Sequence, residues 1–227
     1  MTDIDNLLKH FKSEVTTATV SFFAWKNINN LAAQDRSVYD ALNRNALSWG
    51  ALTHSLQITF LVTIGRIFDM DTGALSLRSF LRKCKTEVRQ FSRESLRARR
   101  QKGMQGAPDP EWLSAYIAAA YEACANDFRM IEREAKKYHD IYETAYRPIR
   151  NQIIAHKDMN ALPATSALFA KTNIGDIERT LLFLHQVVGV VSDLYANGHF
   201  TELSSHKLEE EMYIQKDLVD LFGKLSK

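Results

Sequence analysis

Glycine and proline, the residues that most readily interrupt regular backbone, number only 9 and 4 in 227 residues. Between them run long segments whose apolar side chains recur at three- and four-residue intervals, and strand-forming runs bounded by turn residues are hard to find. These features point to an all-α protein, an up-and-down bundle of about six to seven helices. With 45% hydrophobic residues, the chain can bury one substantial core. The reading is a single domain over 1–227, with core helices over about 35–200 and a C-terminal helix over about 204–225.

Leu7, Leu8, Phe11, Val15, Phe22 and Phe23 place a first helix over 4–31. A second, over 35–68, starts near Asp35 and has Gly50 and Gly65 as possible bends. Ser76 caps a third through about Leu96, and 97–109 reads as a basic loop. Asp109-Pro110-Glu111 starts a fourth helix, with Asp109 as N-cap, running to about Lys137. A fifth spans Tyr138 to His156 and is kinked or broken at Pro148. Residues 157–172 read as a loop. Asn173 caps a sixth helix through Ala196, ended by Asn197-Gly198, and a more polar seventh starts near Ser204.

The formal net charge is only +2, so the chain is no polycation. Its charges are nonetheless segregated. Ten basic residues crowd Arg78 to Lys102, and acidic ones gather in the C-terminal region. The basic run suits either an RNA backbone or a solvated surface. Cys84 and Cys124 lie in no metal or disulfide spacing and read as reduced thiols. No metal site and no cofactor is expected. The N-terminus carries no signal-peptide pattern. The most apolar window, Ala46 to Phe68, holds His54, Gln57 and Arg66 and reads as a buried helix, not a membrane span. A cytoplasmic protein without membrane contact is expected.

The chemistry concentrates at Arg150-Asn151-Gln152-Ile153-Ile154-Ala155-His156. A permanent cation and an imidazole able to carry a proton near neutrality can cleave RNA without a metal. The 2′-hydroxyl is the nucleophile, His156 does the proton work, and the Arg150 fork steadies the crowded phosphorane. The same gap recurs from Arg133 to His139 and from Arg179 to His185, in a charged run and a core-facing helix respectively. Only Arg150 is followed by an amide and a small apolar run that leads directly to the His. Six helical residues rise about 9 Å and turn about 240°, so Arg150 and His156 do not share a helix face. They converge only if the helix ends or bends before His156, or if a two-fold homodimer pools both pairs in one cleft. Asn151 can orient the imidazole or touch phosphate, Arg147 and Lys157 can add phosphate charge, and Asp158 can anchor the imidazole or simply end the helix.

Arg150-Asn151 through His156 resembles the signature of the HEPN superfamily, an Arg, a polar residue, and a His four to six positions on. Gly65-Arg66-Ile67-Phe68-Asp69-Met70-Asp71, followed by Leu75-Ser76-Leu77-Arg78, resembles the corresponding upstream region of AbiU-type HEPN proteins, which are associated with abortive infection of phage. The resemblance covers roughly residues 40 to 160. It implies an all-α bundle, a homodimer with its cleft at the interface, and metal-independent endoribonuclease activity in antiphage or toxin–antitoxin roles, with RNA as substrate and an antitoxin protein as a possible partner. Arg150 and His156 then take the catalytic places and Asn151 the supporting one. Arg66, Arg78 and Arg82 join Arg147 and Lys157 as candidate RNA contacts. One departure concerns regulation: Asp158 stands where HEPN toxins silenced by tyrosine adenylylation carry Tyr, so that control is not implied.

Arg66 and Asp69, about one turn apart, are placed to form an ion pair or to line the cleft. Trp25, Trp49 and Trp112 read as core or interface anchors. Two other readings share the fold. In one, an inactive HEPN-like module binds RNA, a nucleotide or a protein partner. In the other, a monomeric helical adaptor carries the Arg–His spacing by accident.

Overall fold

A computed structural model describes residues 4–71, 73–102, 108–151 and 170–225. Among them there is no strand, and the chain is all-α. The helices are α1 (Ile4–Gln34), α2 (Arg36–Arg44), α3 (Ala46–Ile67), α4 (Leu77–Thr86), α5 (Arg93–Lys102), α6 (Glu111–Ala119), α7 (Ala125–Ile141), α8 (Arg147–Ile149), α9 (Ile174–Asn197) and α10 (Glu210–Leu225). A π-helical segment, Tyr142–Tyr146, joins α7 to α8.

Contacts divide the chain into two compact units. The first comprises Met1–Lys12, Phe68–Asp140 and Leu182–Lys207. Its interior is aromatic: Phe11 stacks on Phe80 at 4.5 Å, Tyr138 on Phe183 at 4.3 Å, and Phe91 packs on Phe128 at 5.0 Å. Leu96, Leu113, Ile117 and Ala120 close a second cluster. The other unit comprises Ser13–Ile67, Ile141–Leu181 and Leu208–Lys227. There Phe22 meets Phe60 edge-on at 5.3 Å, and Ile28, Val38 and Phe222 form a cluster roofed by Leu42, Trp49 and Leu56. Lys26 reaches Glu178 at 2.7 Å and Glu211 at 2.6 Å. Burial pulls its ammonium pKa down, but the two carboxylates outweigh that and hold it above the ordinary lysine value.

Local signals set the starts of the helices. Asp35 caps α2 by accepting from the Ser37 N–H at 2.8 Å. Ser76 and Ser79 cap α4 reciprocally. Asn173 accepts from the Gly175 N–H at 2.8 Å at the head of α9, and Gly198 ends that helix with φ of +61°.

Tertiary contacts reset several expected boundaries. The helix expected over 35–68 divides at Asn45, whose N–H turns back to the Leu42 carbonyl, and Gly50 and Gly65 stay inside α3. The helix expected from Ser76 to Leu96 stops at Thr86, passes through a 3₁₀ turn over Val88–Phe91, and resumes as α5. Residues 97–102, expected as loop, belong to α5.

The reason lies with the arginines. Arg99 donates to the carbonyls of Gln90 and Tyr195, both at 2.7 Å, and Arg100 donates to the Ala196 carbonyl and the Asn197 side chain, both at 3.0 Å. These guanidiniums cover the orphan carbonyls at the negative end of α9. Arg97 and Gln101 hold Asp109 at 2.9 and 2.8 Å, so its carboxylate does not cap α6, and Pro110 takes the cap position. The helix expected to run on to Lys137 breaks after Ala119. There the Ala120 carbonyl accepts from Arg93 and the Tyr121 N–H reaches the Gly198 carbonyl, both at 2.7 Å. The tail turns as 3₁₀ over Leu203–Ser205 and becomes helical at Glu210, not near Ser204. Of the loop expected over 157–172, residues 157–169 lie outside the described residues.

At Gly198 a Cβ would meet the Ala120 Cβ and Leu96 Cδ2, both at 2.8 Å, on a backbone L-residues avoid. Gly198→Ala is therefore expected to cost about 1–3 kcal/mol of stability, read from the midpoint of urea unfolding. An unchanged midpoint would contradict this packing.

Candidate functional site

Arg150 owes its position to a proline. Pro148 has no N–H to give the Thr144 carbonyl, and its ring would crowd that oxygen. The helix does not break there, for residues 142–151 are helical throughout. It widens, so that the Arg147 N–H reaches the Tyr142 carbonyl five residues back. Residues 150 and 151 are again π-helical, and the helix that begins at Ala125 remains helical to Asn151. One ordinary turn of 3.6 residues and one π turn of about 4.4 total about eight. Tyr142 and Arg150, eight apart, therefore line up on one face.

That face lies against α3 at Gly65. A Cβ there would stand 3.0 Å from the Tyr142 hydroxyl and 3.2 and 3.3 Å from Nε and Cδ of Arg150. Glycine allows the Arg150 stem to cross the α3 backbone at contact distance. The two sequence motifs, around Gly65 and around Arg150, thus meet in space. Arg150 is half-buried, and its Nη1 donates to Asn151 Oδ1 at 3.1 Å. Asn151 here orients the guanidinium. Among the described residues, Arg150 has no carboxylate partner.

Its neighbours in sequence and motif are committed elsewhere. Arg147 pairs with Glu143 at 2.5 Å. Arg66 pairs with Glu14 at 2.8 Å and donates to Thr63 at 3.2 Å. The expected Arg66–Asp69 pair is not made, because Asp69 caps the following turn by accepting from the Asp71 N–H at 2.8 Å. His156, Lys157 and Asp158 lie outside the described residues.

Arg78 and Arg82 belong to the first unit, on α4. Arg82 lines a shallow hollow of about 320 Å³ with Gly73, Ala74, Leu75, Ser79 and Lys83. The basic run around them is largely engaged within the protein. Arg93, Arg97, Arg99 and Arg100 are bonded as described, and Lys85 holds Glu132 at 2.6 Å.

Tyr146, on the turn between Tyr142 and Arg150, was not singled out by sequence. Its hydroxyl donates to the Asn173 carbonyl at 2.7 Å and accepts from the Asn173 N–H at 3.1 Å, tying the π segment to the head of α9. The signal for this row is the four-residue spacing of 142, 146 and 150, together with a glycine inside a helix, which marks close backbone approach. Burial pushes the Tyr146 phenol up to about 12. Burial likewise pushes the Cys84 thiol up to about 12, which keeps it a thiol and not a thiolate nucleophile. Among the described residues no group of three or more His, Cys, Asp or Glu could hold a metal ion, and no helix is long and apolar enough to cross a membrane.

In this all-α chain the Arg150-Asn151 pair lies against Gly65 of an earlier helix, which joins the two segments that resemble those of HEPN proteins. The sequence matches the HEPN_AbiU2 family, described as AbiU2, over residues 1–212, and the chain belongs to that family. No curated protein and no solved structure matches it.

Tyr146→Phe removes both hydroxyl contacts with Asn173 and is expected to cost about 1–3 kcal/mol at neutral pH. The raised phenol pKa favours the neutral form in the fold, so its contribution is present below about pH 10 and fades as pH rises toward 12. Unfolding titrations from pH 7 to 12 should show the gap between wild type and variant closing. A constant gap would mean the phenol is not what couples this site to pH.

Proposed function

We propose that this chain is a metal-independent endoribonuclease that acts in phage defence, by abortive infection or as the toxin of a toxin–antitoxin pair, and that works as a cytoplasmic homodimer. Arg150 and His156 from two protomers form the site. His156 takes the 2′-hydroxyl proton and returns one to the departing 5′-oxygen. Arg150 spreads its fork over the non-bridging oxygens as charge builds on the phosphorane. Asn151 holds the guanidinium, and Asp158 orients the imidazole. Arg147, Lys157, Arg66, Arg78 and Arg82 contact the RNA backbone, an electrostatic role that their present carboxylate partners weaken but do not abolish.

The observation that carries the reading is the contrast among three arginines. Arg66 and Arg147 are each held by a carboxylate, while Arg150 is fixed from behind by Gly65, Tyr142 and Asn151 and has no such partner among the described residues. A cation built to receive an outside anion looks like this.

Purified protein incubated with total RNA in EDTA should produce fragments with cyclic phosphate ends. Arg150→Ala and His156→Ala should each lower the rate by at least about 100-fold while leaving the circular dichroism spectrum unchanged. If either variant cuts as fast as the parent, the reading fails.

Gly65→Val tests the scaffold from outside the Arg–His motif. Its added methyls would push Arg150 off α3, and cleavage should fall by about tenfold or more with cooperative unfolding retained. Full activity in this variant would show that the crossing at Gly65 does not position Arg150.

A further inference from the structure

The basic run from Arg78 to Lys102 is largely bonded within its own unit. Uncompensated positive charge gathers elsewhere in that unit, on α7. Arg129, Arg133 and Lys136 are all exposed, and among the described residues none of the three has a carboxylate partner. At about 100° per residue they fall within about 60° of one another round the helix. Phe128, Ile131 and Ala135 bury its other side.

This row destabilises its own helix. Arg129 and Arg133 stand four residues apart, Arg133 and Lys136 three apart, and like charges at these spacings repel across the helix surface. Glu132 is three residues from Arg129 and four from Lys136, so it could pair with either. Lys85 of α4 holds it instead, at 2.6 Å. Glu134 pairs with Lys137, and Asp140, one turn beyond Lys136, lies 3.8 Å from Nδ1 of His139. The carboxylates nearest the row are thus engaged with other cations. A repulsive row kept without local counter-charge is suited to an anion from outside.

The length of the row favours one anion. From Arg129 to Lys136 the helix rises about 10 Å, the span of about three phosphates of a stacked strand at about 3.4 Å each. A lipid surface would also call for apolar side chains beside the cations. Among the described residues Met130 is the one large apolar side chain exposed on α7.

We propose that the outer face of α7 binds the phosphate backbone of RNA, with Arg129, Arg133 and Lys136 each meeting a phosphate. The proposal takes its ligand from the ribonuclease reading and adds a contact surface outside the Arg–His motif.

Fluorescence anisotropy of the full chain with a labelled 2′-O-methyl oligoribonucleotide tests it, because that strand lacks the nucleophile and is not cleaved. The triple variant Arg129→Gln, Arg133→Gln, Lys136→Gln should bind about tenfold or more weakly, and the slope of log affinity against log salt should flatten by about 2. Glutamine forms helix about as well as arginine and lysine, and the repulsion is gone, so the thermal midpoint should not fall. A second triple variant, Lys9→Gln, Arg36→Gln, Lys216→Gln, changes the net charge equally from exposed positions on α1, α2 and α10. It should bind the strand as wild type does.

An α7 variant with wild-type affinity and slope, an equal loss in both variants, or wild type that binds vesicles of anionic lipid but not the strand overturns the proposal. A lower thermal midpoint in the α7 variant would mark the row as structural and overturns it equally. The two readings fail separately. Cleavage of total RNA by a protein whose strand affinity ignores the α7 substitutions sinks this surface and spares the ribonuclease. Strand binding lost in the α7 variant, with no cleavage of total RNA by wild type, does the opposite.

Discussion

Pro148 cannot take its place in an ordinary helical ladder, and the arrangement of the candidate site follows from how the backbone accommodates it. An ordinary α-helical ladder through this point would set Tyr142 and Arg150 about 80° apart around the axis. The backbone instead widens by one residue and keeps going, and that extra residue brings Tyr142 and Arg150 onto one line facing Gly65. Tyr146, within the widened segment, bonds both backbone groups of Asn173 and so couples the π turn to the start of α9. A π turn forms fewer ideal contacts than an α turn. Tyr142 and Tyr146, on successive turns of this segment, are both buried, and the Tyr146 hydroxyl is bonded at Asn173.

The same economy of partners separates structural from available charge. Most arginines of the basic stretch end on backbone carbonyls or carboxylates of their own unit, where they hold helix ends together. Arg99 and Arg100 act at the negative end of α9, a role that helix-dipole electrostatics assigns to cations. Arg150 differs in kind. Its stem is packed and its head is oriented by an amide, which fixes direction without neutralising charge.

The first half of α3 bears on what an apolar run says about burial, for Leu47 and Leu52 are exposed where the sequence reads as a buried helix. Apolar residues there failed as a burial signal because the apolar pattern of a helix records that a face is to be covered, and says nothing about whether its own chain covers it.

Helix type and helix starts were legible in the residues themselves. Few glycines and prolines, three- and four-residue apolar periods, and caps at Asp35, Ser76, Asn173 and Gly198 are local facts, decided within a turn or two of backbone. The motifs at Gly65-Arg66 and Arg150-Asn151 were legible for the same reason, being contiguous. What sequence could not decide were outcomes set by distant partners. Asp109 left its cap for Arg97 and Gln101, Arg66 chose Glu14 over Asp69, and the helix expected to pass Ala119 stopped because Ala120 and Tyr121 bonded to Arg93 and Gly198. In each case a local preference worth about 1 kcal/mol was outweighed by contacts between residues many positions apart, and only the folded chain brings those residues within reach.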